Sequence, residues 1–477
     1  MLVPRPRRNH RAVPPVRRHP HLRRTHCGHS RGSVIRELVA NTARDERCES
    51  IAWGVIENGI LTEQHAADTV YRIASMTKSF TTAAVLALRD EGAFGLDDPV
   101  SRHAPELATV CGPAGSAPIT LRHLLSMSSG LATDDAWADR HLDITADEID
   151  LLYAEGPTFA CRPGDHFEYS NLGFAMIGRV VQRVTGRSVQ EHITQRFLLP
   201  LGMHDTTWLQ PGHDRWARPH RVQDGSIIPD LPAPLGDGEI APMGGLWSTV
   251  ANLATWAMFL DAANLSHADD ALLSAASRRE MQRTQTYIGI AELAGHHSPT
   301  GYGFGLNLRD DAVLGHVVAH SGGLPGYGSN MRWVAGRRVG AIALANTTYA
   351  PMSALTLQML HVLHEHGRVP TAAPLVAPLL NAAADQLVFL LNDWNDDTAR
   401  ALFADNVALD ESFAHRAAGI ARIIELHGQL VIDEIRPERA TSGAVTLHGI
   451  ASGATLHLEL QLSPQPAAGV QWYEFRV

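Results

Sequence analysis

Strand-like segments lie at both ends of residues 33–350, and this placement constrains the fold more than any other feature of the chain. Residues 51–62 contain Asn58-Gly59 between two apolar runs, which predicts a two-residue hairpin. Near the other end, the sequence predicts strands over three apolar runs, at residues 313–319, 331–334 and 339–345. Between the two ends, helical segments alternate with Pro/Gly-rich loops such as residues 210–245. The arrangement predicts one antiparallel sheet built from both chain ends, with a helical insertion.

Helical periodicity predicts the main helices of this region. They cover residues 34–43, 75–91, 172–184 and 250–260. The helix over residues 75–91 is followed by Gly92 as its C-cap, and its apolar residues share one face: Met76, Phe80, Ala83, Ala84, Ala87 and Leu88.

A proline-rich segment follows the last of these strands. Three prolines with no charged residue after Arg368 predict a linker over residues 367–379. Residues 33–366 then form one main domain. Residues 380–477 are predicted to be a small α+β accessory domain, with helices over 381–391 and 396–403 and strands over 429–435, 444–450, 455–462 and 470–477.

The first 32 residues differ sharply in charge from the rest of the chain. They carry nine arginines and no acidic residue, so they are predicted to be a disordered basic tail. The whole chain has a net charge of −10, which leaves about −19 on the remainder and argues against nucleic-acid binding. Residues 28–32 fit the G-x-S-x-G pattern, but no apolar strand precedes them as a nucleophile elbow requires. No signal peptide and no membrane span is predicted, so the expected location is cytoplasmic.

The metal-ligating residue types do not form a recognisable pattern. Four cysteines lack C-x-x-C spacing, so reduced thiols are expected rather than a disulfide framework. Three histidines cluster near Glu365, but the H-E-x-x-H spacing is absent, and they are predicted to lie on a solvated helix end: His361, His364 and His366. Neither a metal nor a cofactor is predicted.

Lys78 is the only lysine among the 40 basic residues of the chain. Arginine can replace lysine in most surface roles, but it does not lose its proton at accessible pH. The sole lysine follows Ser75 by three residues at the start of a predicted helix, so both side chains share one face. Burial and the helix dipole lower the pKa of such a lysine, which could then remove the proton of the serine hydroxyl. The pattern predicts Ser75 as nucleophile and Lys78 as its base.

Two further segments carry candidate site residues. Tyr169-Ser170-Asn171 precedes the helix over 172–184, and a tyrosine of lowered pKa there could transfer protons while Asn171 orients Lys78. The same segment could instead be an ordinary helix cap. His320-Ser321-Gly322-Gly323 ends or occupies a strand, where glycines allow a substrate to approach the backbone. An ordinary glycine-rich turn is the alternative.

In this order, with these spacings, the three motifs resemble the serine β-lactamase and penicillin-binding-protein family. The branch that they resemble contains class C β-lactamases, carboxylesterases and D-aminopeptidases. Flanking segments strengthen the resemblance, which covers about residues 35–365: Tyr71 to Ala74, Leu96 to Val100, Ile119 to Leu125, Ser129-Gly130 and Gly244 to Thr249.

The resemblance implies an α/β (α+β) β-lactamase/transpeptidase-like fold, an antiparallel sheet flanked by helices with a helical subdomain. It implies that Ser75 is the nucleophile, that Lys78 and Tyr169 move protons, and that Asn171, His320, Ser321, Gly322 and Gly323 bind substrate. The N–H groups of Ser75 and Gly323 would form the oxyanion hole. The third motif departs from the family's Lys-Thr-Gly, because His320 stands in place of the lysine that helps to hold a substrate carboxylate.

These residues predict a serine hydrolase that forms an acyl-enzyme with a small-molecule substrate. Because histidine is mostly neutral near pH 7, esters or small amides are the expected substrates. A β-lactamase or a D-aminopeptidase/D-Ala carboxypeptidase is the alternative, and a non-catalytic binding or assembly relative is an alternative of another class. The oligomeric state stays open.

Overall fold

The computed structural model of the chain describes residues 33–230, 236–265, 268–371, 377–467 and 469–476. The predicted basic tail, including the G-x-S-x-G segment, lies outside these residues. The chain divides into two compact units, which meet in sequence between Pro370 and Thr371. The domain bounds given above stay a prediction, since the centre of the proposed linker is not among the described residues.

One eight-stranded antiparallel sheet organises the first unit. Its spatial order is β2-β1-β12-β11-β10-β9-β8-β7, so the first strands pair with the last one. Ile51 lies opposite Ala345, and Ile56 lies opposite Gly340. The predicted sheet built from both chain ends is therefore confirmed. Its strands are β1 (Ile51–Glu57), β2 (Ile60–His65), β7 (Thr286–Leu293), β8 (His296–Tyr302), β9 (Asn307–Asp311), β10 (Gly315–Leu324), β11 (Tyr327–Val334) and β12 (Val339–Ala345).

Two layers of helices cover this sheet, and alternate residues of β12 face each layer. Ala341 and Ala343 pack with Val39 and Leu360 of the helices on one face. Ile342 and Leu344 belong to the larger core on the other face. Burial on both faces explains why β1 and β12 are almost continuously apolar.

The helices of the first unit fall before, within and after the insertion. They are α1 (Ser33–Asp45), α2 (Thr77–Asp90), α3 (Val100–His103), α4 (Leu121–Leu125), α5 (Asp135–Ala138), α6 (Ala146–Glu155), α7 (Asn171–Thr185), α8 (Val189–Ile193), α9 (Val250–Asp261), α10 (Ala275–Met281) and α11 (Met352–Glu365). Four short strands form two small sheets: β3 (Tyr71–Arg72) with β6 (Trp247–Ser248), and β4 (His220–Gln223) with β5 (Ser226–Pro229).

The second unit is a four-stranded antiparallel meander with helices. Its elements are α12 (Pro378–Asn392), α13 (Asp396–Leu402), α14 (Asp405–Asp410), α15 (Phe413–His427), β13 (Leu430–Arg439), β14 (Ser442–Gly449), β15 (Thr455–Leu462) and β16 (Val470–Arg476). Val445 and Leu447 of β14 share a core with Leu387 and Leu391 of α12. This unit therefore has an apolar core of its own.

Some elements differ from the sequence predictions. The segment predicted as loop over 210–245 contains the β4–β5 hairpin, and β7, β8, β9, α14 and α15 were not predicted. The strand predicted over 313–319 begins and ends later, because the Asp311 carboxylate accepts the N–H groups of Val313 and Leu314 and closes a turn there. The shift places the whole His320–Gly323 segment within β10. Within the described residues, no helix is long and apolar enough to span a membrane.

Candidate active site

Ser75 lies in a tight turn between β3 and α2. A 3₁₀ turn covers Ala74–Met76, and Ala74 has a φ of +49°, an uncommon backbone conformation for a residue with a Cβ. The turn is held from the sheet side, because the Ser329 hydroxyl donates to the Ile73 carbonyl over 2.9 Å. Ser75 keeps 8% of its surface exposed and lines a cleft. The unusual turn thus presents the serine to this cleft at the start of α2.

Gly322 explains how β10 can pass so close to this turn. β9 pairs with β10 only as far as Ala319, while β11 pairs with it to Leu324. The unpaired stretch of β10 lies against the serine turn. A Cβ on Gly322 would lie 2.1 Å from the Ile73 carbonyl oxygen, a distance that real Cβ atoms do not reach. Glycine is therefore required here by close backbone approach.

Lys78 is fully buried in the first turn of α2. Its Nζ lies 2.9 Å from Ser75 Oγ, 2.7 Å from Asn171 Oδ1 and 2.9 Å from the Met243 carbonyl oxygen. Burial lowers the pKa of this amine from 10.5 to about 7, against the opposing effect of nearby aspartates. A large share of Lys78 is therefore neutral near pH 7.

Asn171 has its amide orientation set by two carboxylates. Its Nδ2 donates to Asp134 over 3.1 Å and to Asp135 over 2.9 Å. Carboxylates accept hydrogen bonds, so Oδ1 must be the atom that faces Lys78. Asp134 also accepts the N–H groups of Asn171 and Leu172, and it thereby caps α7.

These contacts determine where the lone pair of a neutral Lys78 points. The Asn171 Oδ1 and Met243 carbonyl oxygens can only accept, so they take the two protons that a neutral amine retains. Ser75 is the one partner of the three that can donate. The lone pair of Lys78 is therefore directed at the Ser75 hydroxyl, as a general base requires.

Tyr169 lines the same cleft as Ser75, and Lys78 Nζ lies 4.8 Å from the centre of its ring. The lowered tyrosine pKa that the sequence analysis required is wrong: burial, joined by the charges of three aspartates, raises the pKa of Tyr169 well above 10. A phenol in this state is a proton donor and not a base.

His320 is buried in the wall of the cleft, with both ring nitrogens occupied. Nδ1 lies 2.6 Å from the Ser321 carbonyl oxygen, which can only accept, so Nδ1 carries the proton. Nε2 then accepts from the Tyr302 hydroxyl over 3.0 Å. Burial and the nearby Lys78 lower the pKa of His320 to about 3, so the ring is neutral. Its one N–H is already used within the protein.

The cleft has a volume of about 290 Å³ and brings the three motifs together. It is lined by Ser75, Asp135, Asp139, Tyr169, Asn307, His320, Ser321, Gly323 and Tyr349. Gly323 lies close to Tyr349, because a Cβ added to Gly323 would lie 2.6 Å from the Tyr349 ring. Three of the predicted residues do not line the cleft but contact residues that do: Lys78, Asn171 and Gly322.

The sequence analysis missed Asp135, Asp139 and Tyr349. The Tyr349 hydroxyl donates to Asp139 over 2.8 Å, and burial raises the pKa of this carboxyl to about 6. Residues 133–139 look like an ordinary helix start, because acidic residues are common in a first turn. Only the proximity of this segment to Asn171 distinguishes these acids from capping residues.

A second polar cluster lies outside the cleft, at His296, Asp311 and His361. The predicted solvated position of His361 is wrong: it is buried, and its Nε2 lies 3.2 Å from Asp311. The His296 and His361 rings stack with their centres 3.8 Å apart and their planes at 5°. One ion cannot lie in the planes of two stacked rings, so we interpret the cluster as structural.

Comparisons with known proteins identify the family of the chain. A sequence profile of the Beta-lactamase family matches residues 34–364. Protein flp of Staphylococcus aureus strain MW2 is 28% identical over 323 residues, which are 67% of this chain and 60% of flp. Penicillin-binding protein 4* of Bacillus subtilis strain 168 is 25% identical over 302 residues, which are 58% of this chain and 61% of that protein. The matches span about three fifths of the length of these relatives.

Solved structures show the same fold. An octameric penicillin-binding protein homologue from Pyrococcus abyssi has a TM-score of 0.59 at 19% identity, over 92% of this chain and 94% of that one. A D-stereospecific amidohydrolase from Streptomyces sp. has a TM-score of 0.53 at 23% identity, over 69% and 96%. The family profile covers more than half of the chain and contains all three motifs. The chain belongs to the Beta-lactamase family.

Proposed function

We propose that the protein is a serine hydrolase that forms an acyl-enzyme on Ser75 and releases it with water. One observation carries the proposal: a fully buried lysine has two partners that can only accept and one, Ser75, that can donate. This arrangement directs a neutral amine at the serine hydroxyl. Strongly shifted pKa values are typical of functional sites, so the lowered pKa of Lys78, about 7, also favours a catalytic role.

In the first step, Ser75 Oγ attacks the substrate carbonyl carbon and its proton passes to Lys78 Nζ. The carbonyl oxygen becomes an oxyanion, which the N–H groups of Ser75 and Gly323 would stabilise. The bond to the leaving group then breaks. Tyr169 gives its proton to the leaving group, and the proton held by Lys78 then restores the phenol. In the second step a water molecule attacks the ester carbon and gives a proton to neutral Lys78, which returns it to Ser75 Oγ as the acyl bond breaks.

Esters or small amides are the substrates that the cleft favours. A family member with lysine at the position of His320 has a permanent cation for a substrate carboxylate, whereas His320 is neutral and its N–H is occupied. The cleft volume of about 290 Å³ suits a small acyl group. These features argue against efficient turnover of penicillins, which carry a carboxylate.

Intact-mass spectrometry tests the proposal. The protein is exposed in turn to a fluorophosphonate, a nitrophenyl ester and a penicillin, and Ser75→Ala is treated in parallel. We expect a fluorophosphonate adduct on the wild type, absent from Ser75→Ala, and hydrolysis of the ester by the wild type alone. An unmodified wild-type chain with no esterase activity would contradict the proposal and favour a non-catalytic relative of the fold.

A further inference from the structure

One wall of the cleft is acidic. Asp135 and Asp139 both line it, and only 4% of the surface of Asp139 is exposed. Asp139 accepts from the Tyr349 hydroxyl, and Asp135 accepts from Asn171. Among the residues that the structure describes, neither carboxylate has a basic side chain within 4 Å. A nearly buried carboxylate without a counter-cation is costly unless a ligand supplies one.

Positive charge is scarce around this wall. Among the described residues, Lys78 is the only basic side chain hydrogen-bonded to Ser75, and its other protons are held by Asn171 and Met243. His320 is neutral and buried. Arg140 follows Asp139 in the sequence, but it is exposed and does not line the cleft. The cleft therefore offers a substrate two carboxylates. Protonated Lys78 partly offsets their charge, but two of its protons are held by Asn171 and Met243.

We propose that Asp135 and Asp139 select substrates that carry an ammonium group, so that the preferred ester or amide is that of an amino acid or a similar amine. The inference rests on the proposed hydrolase function of the same cleft. The ammonium group would donate to the two carboxylates, and the acyl carbon would lie at Ser75. Charge-assisted hydrogen bonds of this kind favour a cationic ligand by roughly 10- to 150-fold over a neutral one.

Four matched anilides test the selection by charge. They are the p-nitroanilides of alanine in both enantiomers, of propionic acid, and the mono-p-nitroanilide of succinic acid. At pH 7.0 the alanine amino group, with a pKa of about 7.7–8.0, is mostly protonated. We expect kcat/KM for the better alanine enantiomer to exceed that for the propionyl anilide at least about tenfold. The succinyl anilide should be the poorest substrate.

Asp139→Asn removes the charge and keeps an oxygen that accepts from Tyr349. In this variant the alanine-to-propionyl ratio should fall at least about tenfold. Asp147→Asn, an exposed position in α6 outside the cleft, is the matched control and should keep the wild-type ratio. If Asp139→Asn fails to fold, the ratio of kcat/KM for the alanine and propionyl anilides in the wild type still tests the selection by charge.

Failure of the inference and failure of the proposed function give different results. A fluorophosphonate adduct on Ser75 together with equal or inverted ratios would overturn the ammonium selection alone. An adduct without turnover of either alanine enantiomer would overturn it as well. No adduct and no turnover of any anilide or ester would overturn both.

Discussion

At the scale of single residues, the protonation of Lys78 determines when the site can act. The amine must be neutral to accept the Ser75 proton, and burial lowers its pKa to about 7. The groups around it that carry or exchange charge are Asp134, Asp135, Asp139, Tyr169 and His320. For a neutral ester, kcat/KM should rise with pH through an apparent pKa near 7 and then level off. A stopped-flow or plate assay between pH 5 and about 9 measures it, and a kcat/KM that still rises at the upper end of this range without levelling off would contradict the assignment.

Lys78→Arg tests whether the removable proton matters. Arginine keeps the positive charge and can donate to Asn171 and Met243, but it cannot act as a base. We expect the variant to lose at least about 10²-fold in kcat for a nitrophenyl ester. Circular dichroism and the melting temperature serve as the control for folding. Activity within a few-fold of the wild type would rule out Lys78 as the base.

His320→Lys tests the substrate charge preference at the third motif. The wild type should hydrolyse a short-chain nitrophenyl ester with a higher kcat/KM than a chromogenic cephalosporin at pH 7.5. A lysine at this position would place a cation beside the cleft, so the ratio should move toward the anionic cephalosporin by roughly 10- to 150-fold. A wild type that prefers the cephalosporin would contradict the argument and favour a β-lactamase.

The residues of the site differ in how well the sequence alone identifies them. Ser75 and Lys78 were recognisable because four consecutive residues place both groups on one helix face. Asp139 was not, because its partner Tyr349 is 210 residues away and no local pattern joins them. The direction of the Tyr169 pKa also depends on burial, which the sequence does not report.

At the scale of elements, the approach of β10 to the serine turn is the contact on which the site depends. Gly322→Ala would place a methyl group 2.1 Å from the Ile73 carbonyl oxygen. Backbone cannot move aside cheaply, so we expect the variant to lose about 3 kcal/mol of unfolding free energy, the upper end for overpacking. Any movement that relieves this clash would displace the turn that carries Ser75, so esterase activity should fall as well.

Gly212→Ala is the control for this substitution. A Cβ at Gly212 would meet no atom within 4 Å, so stability and activity should stay at wild-type values. Chemical denaturation and kcat/KM measure both quantities. A Gly322→Ala variant as stable as Gly212→Ala would show that the strand and the turn are not in contact as described.

Elements whose geometry is local were predictable, and those that depend on distant pairing were not. The β1–β2 hairpin follows from Asn58 and Gly59, whose φ values of +51° and +83° suit a two-residue turn. The end of β10 at Leu324 instead depends on its partner Tyr327 in β11, since the segment is rich in glycine. The β4–β5 hairpin was hidden by surrounding prolines and glycines that are typical of loops.

At the scale of the whole chain, the prolines after residue 367 allowed a division into two parts to be predicted. The first unit has its own cores, and the second has a separate one around α12 and β14. A unit with a complete apolar core is expected to fold alone.

A chain truncated after Pro370 tests this independence. It retains Arg368, whose guanidinium pairs with Glu57 at 2.5 Å and with Glu63 at 2.7 Å and so ties the end of the first unit to β1 and β2. We expect a soluble protein with a cooperative thermal transition and fluorophosphonate labelling of Ser75. A chain that ends at Gly367 lacks Arg368, leaves the two glutamates without this partner, and should melt at a lower temperature. Aggregation of both truncated chains beside a soluble full-length protein would show that the last hundred residues complete the fold of the first unit.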